Sequence, residues 1–493
     1  MLLSQLIEPL PEKRVTGSAN PEIKAVAYDS RRVDPGALFA CIRGEKFDGH
    51  DFIGEAISRR ASAILIDRID CLHASCNSVP FVIVPNVRQA LPILANQFFG
   101  YPSRRLKLIG ITGTNGKTTT TYLVESMLRQ AGLATGVIGT LGARIRGKTI
   151  PTERTTPEAV DLQALLAHMA DEGVAAVAME VSSHALAMHR TDGCEFDIGV
   201  FTNLTQDHLD FHQTFEHYLE TKIKLFRDYP QASNKAFTGV VNIDDPNGKR
   251  FVDATCGKVI TYGMREKADV RASNVHATAK GISFCAALPT GEFEVALKLG
   301  GLFNVYNSLA AISVGVALDL SIEQIKAGIQ SIPPVAGRFE AVDCGQPFSV
   351  IVDYAHTPDG LENVLRSARE LTAGRLIVVF GCGGDRDRAK RPIMGRIGSE
   401  MADICIITSD NPRSEPPDQI AQEILGGISP ENMDRVKIDL DRRQAIKLAL
   451  EVASPGDIVV IAGKGHETYQ IFKDKTIPFD DRQVVREILG KTK

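Results

Sequence analysis

The chain lacks long apolar segments, a marked excess of charge and a regular cysteine pattern, and each absence narrows its class. No run of eighteen apolar residues occurs, so no transmembrane helix is expected. The 56 Lys and Arg are balanced by 60 Asp and Glu, which argues against nucleic acid as the main partner. The cysteines are scattered, as expected for thiols kept reduced in a cytoplasm. Cys71 and Cys76 form the one close pair, and a zinc site there is a disfavoured alternative.

The sequence also has no internal repeat and no low-complexity segment, which excludes solenoids and propellers. Its length of 493 residues suggests about three domains. Pro102 ends a helical pattern, and Pro333 and Pro334 mark a second boundary. We therefore predict domains over residues 1–103, 104–334 and 335–493.

β-Branched and apolar runs alternate with helical stretches in the second and third predicted domains. Runs at 106–111, 174–179, 198–202 and 236–242 predict strands of the central domain. Runs at 375–380, 404–408 and 458–461 predict strands of the C-terminal domain. This alternation predicts an α/β fold in which a central parallel-sheet domain precedes a doubly wound, Rossmann-like domain.

The strongest motif follows the first central strand and has the sequence GITGTNGKTT, from Gly110 to Thr119. It resembles a phosphate-binding loop, although the strict pattern requires glycine at position 111, where this chain has Ile111. Backbone N–H groups of such a loop converge on phosphate oxygens at the start of a helix. Lys117 would reach the outer phosphates and the Thr118 hydroxyl would hold Mg²⁺. The alternative to a phosphate-binding loop is a glycine-rich turn that has only a structural role at the start of a helix.

A nucleotide loop needs a metal ligand from a neighbouring strand, and Glu180 directly follows one. His208 is interpreted as closing another strand, although spacing alone favours a histidine that only bonds backbone. A hydrolytic metal centre built from His208, Asp210 and His212 remains an alternative without a supporting motif.

Polar motifs also follow strands of the third block, at 381–387, 410–413 and 463–467. Open parallel sheets bind ligands beyond the carboxyl ends of their strands. Two such edges predict a single cleft between the central and C-terminal domains.

Several of these motifs, in one order, resemble the Mur ligases, ATP-dependent enzymes that add amino acids to the cell-wall precursor. The resemblance extends over nearly the whole chain. It is carried by GTNGKTT from Gly113, EVSSH from Glu180, NLTQDHLDFH from Asn203, GLFNVYN from Gly301 and GRFE from Gly337. DNPR from Asp410 resembles the form that adds meso-diaminopimelate.

The resemblance implies that the enzyme uses ATP and two Mg²⁺ ions. Residues of the central domain would bind them, together with residues that approach from the C-terminal domain. The implied catalytic residues are Lys117, Glu180, His208 and Lys222. The implied ATP contacts are Gly113, Thr114, Asn115, Gly116, Lys117, Thr118, Thr119, Asn304, Asn307, Arg338 and Asp353. Thr118 and Glu180 would hold one metal, and Glu180 and His208 the second. Lys222 would be carbamylated and serve as a metal ligand; Lys224 is the alternative, and on sequence alone both are ordinary solvated lysines.

The resemblance also implies which residues bind the acceptor substrate. The UDP-sugar-peptide site would comprise Tyr28, Ser30, Gly44, Glu45, Lys46, Thr155, Thr156, Ser182, Met188 and Arg190. Met188 stands where glutamine is common in the family, so a hydrogen bond is expected to be lost there. Without the resemblance, the N-terminal members of this set are ordinary turn residues.

The amino-acid side is implied to comprise Arg386, Asp410, Asn411, Pro412, Arg413, Gly463 and Glu467. Arg413 offers a fork that reads a carboxylate, and Glu467 would accept an ammonium. The resemblance thus implies transfer of meso-diaminopimelate to UDP-N-acetylmuramoyl-L-alanyl-D-glutamate through an acyl phosphate. We expect a cytoplasmic monomer that binds no nucleic acid and does not enter membranes. The alternatives are a lysine-adding or dipeptide-adding relative, a folylpolyglutamate synthase, and a P-loop ATPase that only binds or moves a partner.

Overall fold

The computed structural model describes residues 1–44, 47–71, 79–265 and 267–490. Three residues singled out in the sequence, Glu45, Lys46 and Cys76, lie outside the described residues. None of the helices in the described part of the chain has the length and apolar character that a bilayer span requires.

The N-terminal part of the chain folds into a five-stranded sheet in the order β1-β5-β4-β3-β2, with β1 antiparallel to β5 and the other neighbours parallel. Its strands are β1 (Arg14–Val15), β2 (Ala25–Ala27), β3 (Ala37–Ala40), β4 (Ala63–Ile66) and β5 (Phe81–Ile83). Its helices are α1 (Leu3–Leu6), α2 (Ile53–Ser58) and α3 (Val87–Phe98). Apolar clusters fill both faces of this sheet, with α1 and α3 on one side and α2 on the other.

The middle of the chain forms an eleven-stranded sheet in the order β16-β15-β14-β13-β12-β11-β6-β10-β7-β8-β9. Its strands are β6 (Lys107–Thr112), β7 (Thr135–Gly139), β8 (Gly142–Ile145), β9 (Lys148–Ile150), β10 (Ala176–Glu180), β11 (Ile198–Phe201), β12 (Thr238–Asn242), β13 (Lys258–Gly263), β14 (Val270–Ala277), β15 (Ile282–Leu288) and β16 (Gly291–Leu297). Its helices are α4 (Lys117–Gln130), α5 (Ala159–Asp171), α6 (Ser183–Ala187), α7 (Leu209–His212), α8 (Phe215–Gln231), α9 (Gly248–Ala254), α10 (Phe303–Ala317) and α11 (Ile322–Gln330).

The centre of this sheet is parallel, as the sequence predicted, but both of its ends are antiparallel. Strands β14, β15 and β16 pair antiparallel at one end, and β7, β8 and β9 do so at the other. Helices α4, α10 and α11 cover one face with a large apolar cluster, and α5 and α8 cover the opposite face. The sheet therefore holds its polar strand ends at one edge between two layers of helices.

The last part of the chain forms a six-stranded sheet in the order β17-β18-β22-β19-β20-β21 and a separate two-stranded ribbon. The strands are β17 (Glu340–Ala341), β18 (Ser349–Asp353), β19 (Leu376–Phe380), β20 (Ile404–Ile407), β21 (Val436–Ile438), β22 (Ile458–Ala462), β23 (Tyr469–Ile471) and β24 (Thr476–Pro478). The helices are α12 (Pro358–Leu371), α13 (Lys390–Met401), α14 (Pro417–Leu425), α15 (Arg442–Val452) and α16 (Asp481–Ile488). Helices α12, α13 and α14 pack on one face of the sheet and α15 and α16 on the other, which is the predicted doubly wound arrangement.

Candidate active site

The glycine-rich loop joins the buried strand β6 to helix α4, as the sequence predicted. Gly113 has φ +148°, and a Cβ atom there would lie 1.9 Å from Thr202 Oγ1, so only glycine fits. Gly110 is part of the strand instead, where a Cβ atom would lie 2.8 Å from the Phe196 ring. The departure from the strict phosphate-loop pattern lies within the strand, because Ile111 is a fully buried core residue of β6 and the loop itself begins at Gly113.

Two lysine side chains converge on one carbonyl of this loop. Lys117 Nζ donates to Gly113 O at 3.0 Å and to Thr114 O at 2.8 Å, and Lys222 Nζ, from α8, donates to Gly113 O at 2.9 Å. Burial lowers the pKa of both amines, and Lys117 lowers the pKa of Lys222 further by repulsion. An anion bound beside the loop would relieve this repulsion, and so would conversion of Lys222 to an uncharged or anionic group.

Lys222 is nearly inaccessible to solvent, at 1% exposure, and its ammonium lies 4.6 Å from the centroid of the Tyr218 ring. No ion pair joins it to a carboxylate among the described residues. A buried, unpaired lysine favours the neutral amine, which is the form that reacts with CO₂. Lys224, two residues on, is more exposed, and the two lysines are thereby distinguished.

Glu180 ends β10 with its carboxylate buried beside the loop that follows β7. Its Oε1 accepts from Thr140 N at 2.9 Å and its Oε2 from the Thr140 hydroxyl at 3.1 Å. A Cβ atom on Gly139 would lie 2.3 Å from Oε1, so the close backbone approach requires glycine there. The carboxylate is held in one orientation near the start of α4, where Thr118 is also buried.

His208 does not close a strand, because β11 ends at Phe201 and His208 lies in the loop beyond it with φ +54°. Its side chain is 42% exposed and lies 3.4 Å from Asp207, with its ring edge-on to that of His184 at 4.7 Å. His212 is buried, with neither ring nitrogen hydrogen-bonded, and burial is the main cause that lowers its pKa to about 4. In the sequence, His212 was a candidate only for the disfavoured hydrolytic centre.

The donors around the loop fit magnesium, which takes oxygen ligands and shares them with phosphates. Thr118 supplies a hydroxyl and Glu180 a carboxylate, and a carbamate on Lys222 would add a second anionic oxygen group. The His208 imidazole is a nitrogen donor and the exception in this set. No cluster of three or more His, Cys, Asp or Glu side chains with metal-binding geometry occurs among the described residues. The described side chains of the hydrolytic-centre alternative therefore form no such cluster.

Asn304 and Asn307 begin α10 behind the loop. Asn307 Nδ2 donates to Asn304 Oδ1 at 2.8 Å, and Asn304 Nδ2 donates to Gly300 O at 2.7 Å. A Cβ atom on Gly116 would lie 2.3 Å from Asn307 Oδ1, so this asparagine packs directly on the loop.

Substituting Gly116 by alanine should therefore weaken both folding and nucleotide binding. Gly132, at the other end of α4, has nearly the same φ, +86° against +84°, but a Cβ atom there meets nothing within 4 Å. Both G116A and G132A carry the strain of a left-handed alanine, about 1 kcal/mol. G116A should cost about 1–3 kcal/mol more from overpacking against Asn307. Thermal unfolding and the KM for ATP would measure this; equal effects of the two substitutions would contradict the close packing.

Two residues link the C-terminal domain to the loop. Asn115 Nδ2 donates to Asp359 Oδ2 at 2.9 Å, and Arg338 lies near enough to lower the pKa of Lys117.

Arg338 lies over the Tyr354 ring at 5.1 Å with its Nε unsatisfied. Asp353 is half-buried and accepts from Phe339 N and Ala355 N, and desolvation raises the pKa of its carboxyl. Asp359 carried no signal in the sequence.

A cavity of about 1040 Å³ lies between the polar edges of the central and C-terminal sheets. The central domain contributes Gln206, Asp207 and His208 to its wall. The C-terminal domain contributes a larger set, including Arg386, Asp410, Asn411, Arg413, Gly463 and Glu467. All three motifs of the C-terminal sheet thus line this cavity, but of the central motifs only the one beyond β11 does, so the predicted cleft is formed in part.

Contacts join four of the residues implied to bind the amino acid, the amino-acid set, in two pairs. Arg413, in a left-handed conformation with φ +52°, donates from Nη1 to Gly384 O at 2.8 Å. Asn411 Nδ2 donates to Glu467 Oε2 at 2.8 Å, and a Cβ atom on Gly463 would lie 2.6 Å from Asp410 Oδ2. Arg386 is exposed and reaches the carbonyl of Asp385. Pro412 O lies so close to Gly384 that a Cβ atom there would be 1.9 Å away.

The residues implied to bind the UDP-sugar peptide, the sugar-peptide set, lie partly in the N-terminal domain and partly in the central domain. Tyr28 donates to Asp161 of α5, and burial raises the pKa of its hydroxyl. Ser30 Oγ donates to Glu55 at 2.8 Å, and Gly44 N donates to Phe47 O at 2.8 Å. Hence Tyr28 connects the two domains directly.

The remaining described members of this set surround the end of β10. Thr156 Oγ1 donates to Glu180 O at 2.8 Å, Thr155 contacts Thr140, and Ser182 caps α6. Arg190 is ion-paired with Glu158 at 2.9 Å and donates from Nη2 to Met188 Sδ at 3.2 Å. The thioether therefore retains an interaction with Arg190 at the position where glutamine is common.

Comparison with known proteins places the chain in a family. The Mur ligase middle domain matches residues 111–315, the glutamate ligase domain of Mur ligases residues 337–465, and the catalytic domain of the Mur ligase family residues 22–99. The chain belongs to the Mur ligase family and is an ATP-dependent ligase that forms amide bonds.

Its relatives include UDP-N-acetylmuramoyl-L-alanyl-D-glutamate–2,6-diaminopimelate ligases. That of Geobacillus kaustophilus is 48% identical over 490 residues, 99% of each chain. That of Caldanaerobacter subterraneus subsp. tengcongensis is 46% identical over 478 residues, 97% of each. A solved ligase of the same name has a TM-score of 0.67 and 33% identity, covering 95% of this chain and 94% of its own. MurF from Acinetobacter baumannii, at 18% identity and a TM-score of 0.65 over 99% and 98% of the chains, shares the fold.

Proposed function

We propose that this chain adds meso-diaminopimelate to UDP-N-acetylmuramoyl-L-alanyl-D-glutamate with hydrolysis of ATP, in the synthesis of the peptidoglycan precursor. The observation that carries the proposal is a cavity lined on one side by Gln206, Asp207 and His208, from the loop beyond β11, and on the other by Arg413 and Glu467. Strand β11 pairs in parallel with β6, so this loop and the phosphate loop leave the same edge of the central sheet. Phosphorylation of an acid and capture by an amine require both sets of groups at one place. The names of the relatives at 46–48% identity support the same substrates.

The reaction begins with a carboxylate, which an amine does not attack at useful rates because its leaving group is poor. Transfer of the γ-phosphoryl group to the terminal glutamyl carboxylate gives an acyl phosphate, and attack by the amine then expels phosphate. Such transfer depends on positioning and charge neutralisation more than on covalent groups of the protein. Lys117 neutralises the phosphates, and the loop from Gly113 to Thr119 orients them. Asn304, Asn307, Arg338 and Asp353 complete the nucleotide site.

Two Mg²⁺ ions would be held by Thr118, Glu180, His208 and the N6-carboxylated side chain of Lys222. When bound, the metals supply positive charge to the phosphoryl and carboxylate oxygens. The protein's own part is to keep Glu180 oriented through Thr140 and to keep Lys222 buried, which lowers the pKa of its amine and favours the form that takes up CO₂.

The acceptor nucleotide-sugar peptide is proposed to bind through residues of the first two domains. These are Tyr28, Ser30, Gly44, Glu45, Lys46, Thr155, Thr156, Ser182, Met188 and Arg190, of which Glu45 and Lys46 lie outside the described residues. The direct contact between Tyr28 and Asp161 supports a site shared by both domains.

The incoming amino acid is proposed to bind through Arg386, Asp410, Asn411, Pro412, Arg413, Gly463 and Glu467. Meso-diaminopimelate differs from lysine by one carboxylate. The guanidinium of Arg413 would read that group bidentately, and Glu467 would accept the distal ammonium.

We also propose the domain division 1–103, 104–334 and 335–493, which no described sheet crosses. The enzyme would act as a monomer in the cytoplasm, where Cys194, Cys344, Cys382 and Cys405 would remain the buried thiols that they are here. No nucleic acid partner or membrane insertion is proposed.

The test is phosphate release with each substrate omitted in turn. Release should require ATP, the nucleotide-sugar peptide and meso-diaminopimelate together. A protein that only uses ATP to bind or move a partner would release phosphate without the amino acid, and this result would reject the proposal. A lysine-adding or dipeptide-adding enzyme would reveal itself by preferring lysine or D-alanyl-D-alanine in the same assay.

A further inference from the structure

A lysine in the C-terminal domain has no assigned role, although it lies beside the amino-acid set. Lys464 follows β22 and is fully buried, with 0% exposure. Its Nζ donates to Glu467 Oε2 at 2.9 Å and to Asn411 Oδ1 at 3.0 Å. Burying an ion pair contributes little to stability after desolvation, and such pairs are often retained where they fix a specific arrangement.

The three side chains form a closed network. Glu467 Oε2 accepts from both Lys464 and Asn411, while Asn411 Oδ1 also accepts from Ile471 N at 3.0 Å. No hydrogen bond to Glu467 Oε1 is recorded in the described part of the chain, and Glu467 lines the cavity. The network therefore leaves one carboxylate oxygen of Glu467 for a ligand and fixes where it lies.

The backbone around Lys464 cannot shift easily. A Cβ atom on Gly463 would lie 2.6 Å from Asp410 Oδ2, and one on Gly465 would lie 2.7 Å from Tyr354 Cβ. Lys464 is thus held between two close contacts, one on each side. Because its ammonium is inaccessible, it can act on a ligand without touching it, by positioning Glu467 and Asn411 and through its charge.

The charged side chains around Glu467 match a zwitterionic ligand. Arg413 and Lys464 carry two positive charges beside the two negative charges of Asp410 and Glu467. The nearby Arg442 is neutralised by its buried ion pair with Asp481, and Arg386 is exposed. A distal end that bears one carboxylate and one ammonium leaves this balance unchanged. An end that bears only an ammonium brings an extra cation near Lys464 and leaves Arg413 without a carboxylate partner.

We propose that Lys464 is a positioning residue that determines amino-acid specificity: it orients Glu467 and penalises a distal end with net positive charge. The inference rests on the proposed function, because it concerns the same amino-acid pocket. It predicts that removal of the Lys464 charge shifts preference from meso-diaminopimelate towards L-lysine.

The test uses the full-length enzyme with Lys464→Met, which keeps the length of the side chain but not its charge, and with Lys464→Gln. For each, kcat and KM are measured with meso-diaminopimelate and with L-lysine at saturating ATP and nucleotide-sugar peptide. The KM for meso-diaminopimelate should rise about tenfold or more, and the KM for ATP should stay within about twofold. The ratio of kcat/KM for meso-diaminopimelate to that for L-lysine should fall about tenfold. Lys475→Met, at an exposed lysine next to the β23–β24 ribbon, should leave all these values unchanged.

A coupled substitution separates positioning from general damage. In a Glu467→Gln background, Lys464→Met should change the meso-diaminopimelate KM by less than about twofold, because the carboxylate it orients is gone. Equal losses with both amino acids, additive effects in the double variant, or failure of both Lys464 variants to fold would overturn the proposal. If the unaltered enzyme does not ligate meso-diaminopimelate at all, the proposed function fails instead.

Discussion

Replacement of Lys222 by alanine should reduce ligation by about 10²–10³-fold or more, the range found when a preorganised electrostatic group is removed from an active site. The physical reason is that the buried amine lies on the same carbonyl as Lys117 and would, once carbamylated, become an anionic metal ligand beside the phosphates. The measurement is phosphate release in the complete reaction. Short-chain carboxylic acids added to K222A should restore part of the activity by supplying the missing carboxylate.

Two controls make this result interpretable. K224A removes a neighbouring lysine of the same helix and should retain nearly full activity. Lys222→Met replaces a buried amine that has no carboxylate partner among the described residues, so its melting temperature should not fall below that of the unaltered protein. Full activity of K222A, or equal losses in K222A and K224A, would remove Lys222 from the proposed role.

Replacement of Arg413 by alanine should raise the KM for meso-diaminopimelate at least about 30-fold, which corresponds to roughly 2 kcal/mol for a lost charge-assisted contact. The KM for ATP should change little, because Arg413 lies at the C-terminal wall of the cavity and the phosphate loop lies in the central domain. Arg413→Lys should recover only part of the loss, since an ammonium cannot read a carboxylate with two parallel bonds.

Arg396→Ala is the matched control for Arg413. Arg396 lines the same cavity from α13, but it is 56% exposed and paired with Glu400. Its substitution should leave the KM for meso-diaminopimelate within about twofold, as expected for an exposed ion pair. If R413A raised the KM values for ATP and the amino acid equally, Arg413 would not belong to the amino-acid pocket.

The sequence predicted the parallel parts of the fold well, because strands buried on both faces appear as continuous apolar runs. β6, β10, β19 and β22 begin and end within two residues of the predicted runs. The strands β14, β15 and β16 were not predicted. In β15 buried and half-buried residues alternate, which is the pattern of an antiparallel strand with one face towards solvent and produces no long apolar run.

The candidate site was predictable only where a motif followed a strand. The phosphate loop and the DNPR segment could be placed in this way, and both lie at sheet edges that meet the cavity or the start of α4. Asp359 could not be found, because its contact with Asn115 joins residues 244 positions apart. Lys464 was visible as part of a motif, but its role depends on burial and on two partners that only the folded chain brings together.

The central claim is that the enzyme activates an acid by phosphorylating it, and oxygen transfer tests this most directly. The nucleotide-sugar peptide would be prepared with ¹⁸O in its terminal glutamyl carboxylate and converted with ATP and meso-diaminopimelate. Mass spectrometry of the inorganic phosphate should then find one ¹⁸O atom per amide bond formed, because the acyl phosphate leaves with a carboxylate oxygen. Phosphate that contains no ¹⁸O despite complete ligation would contradict the account.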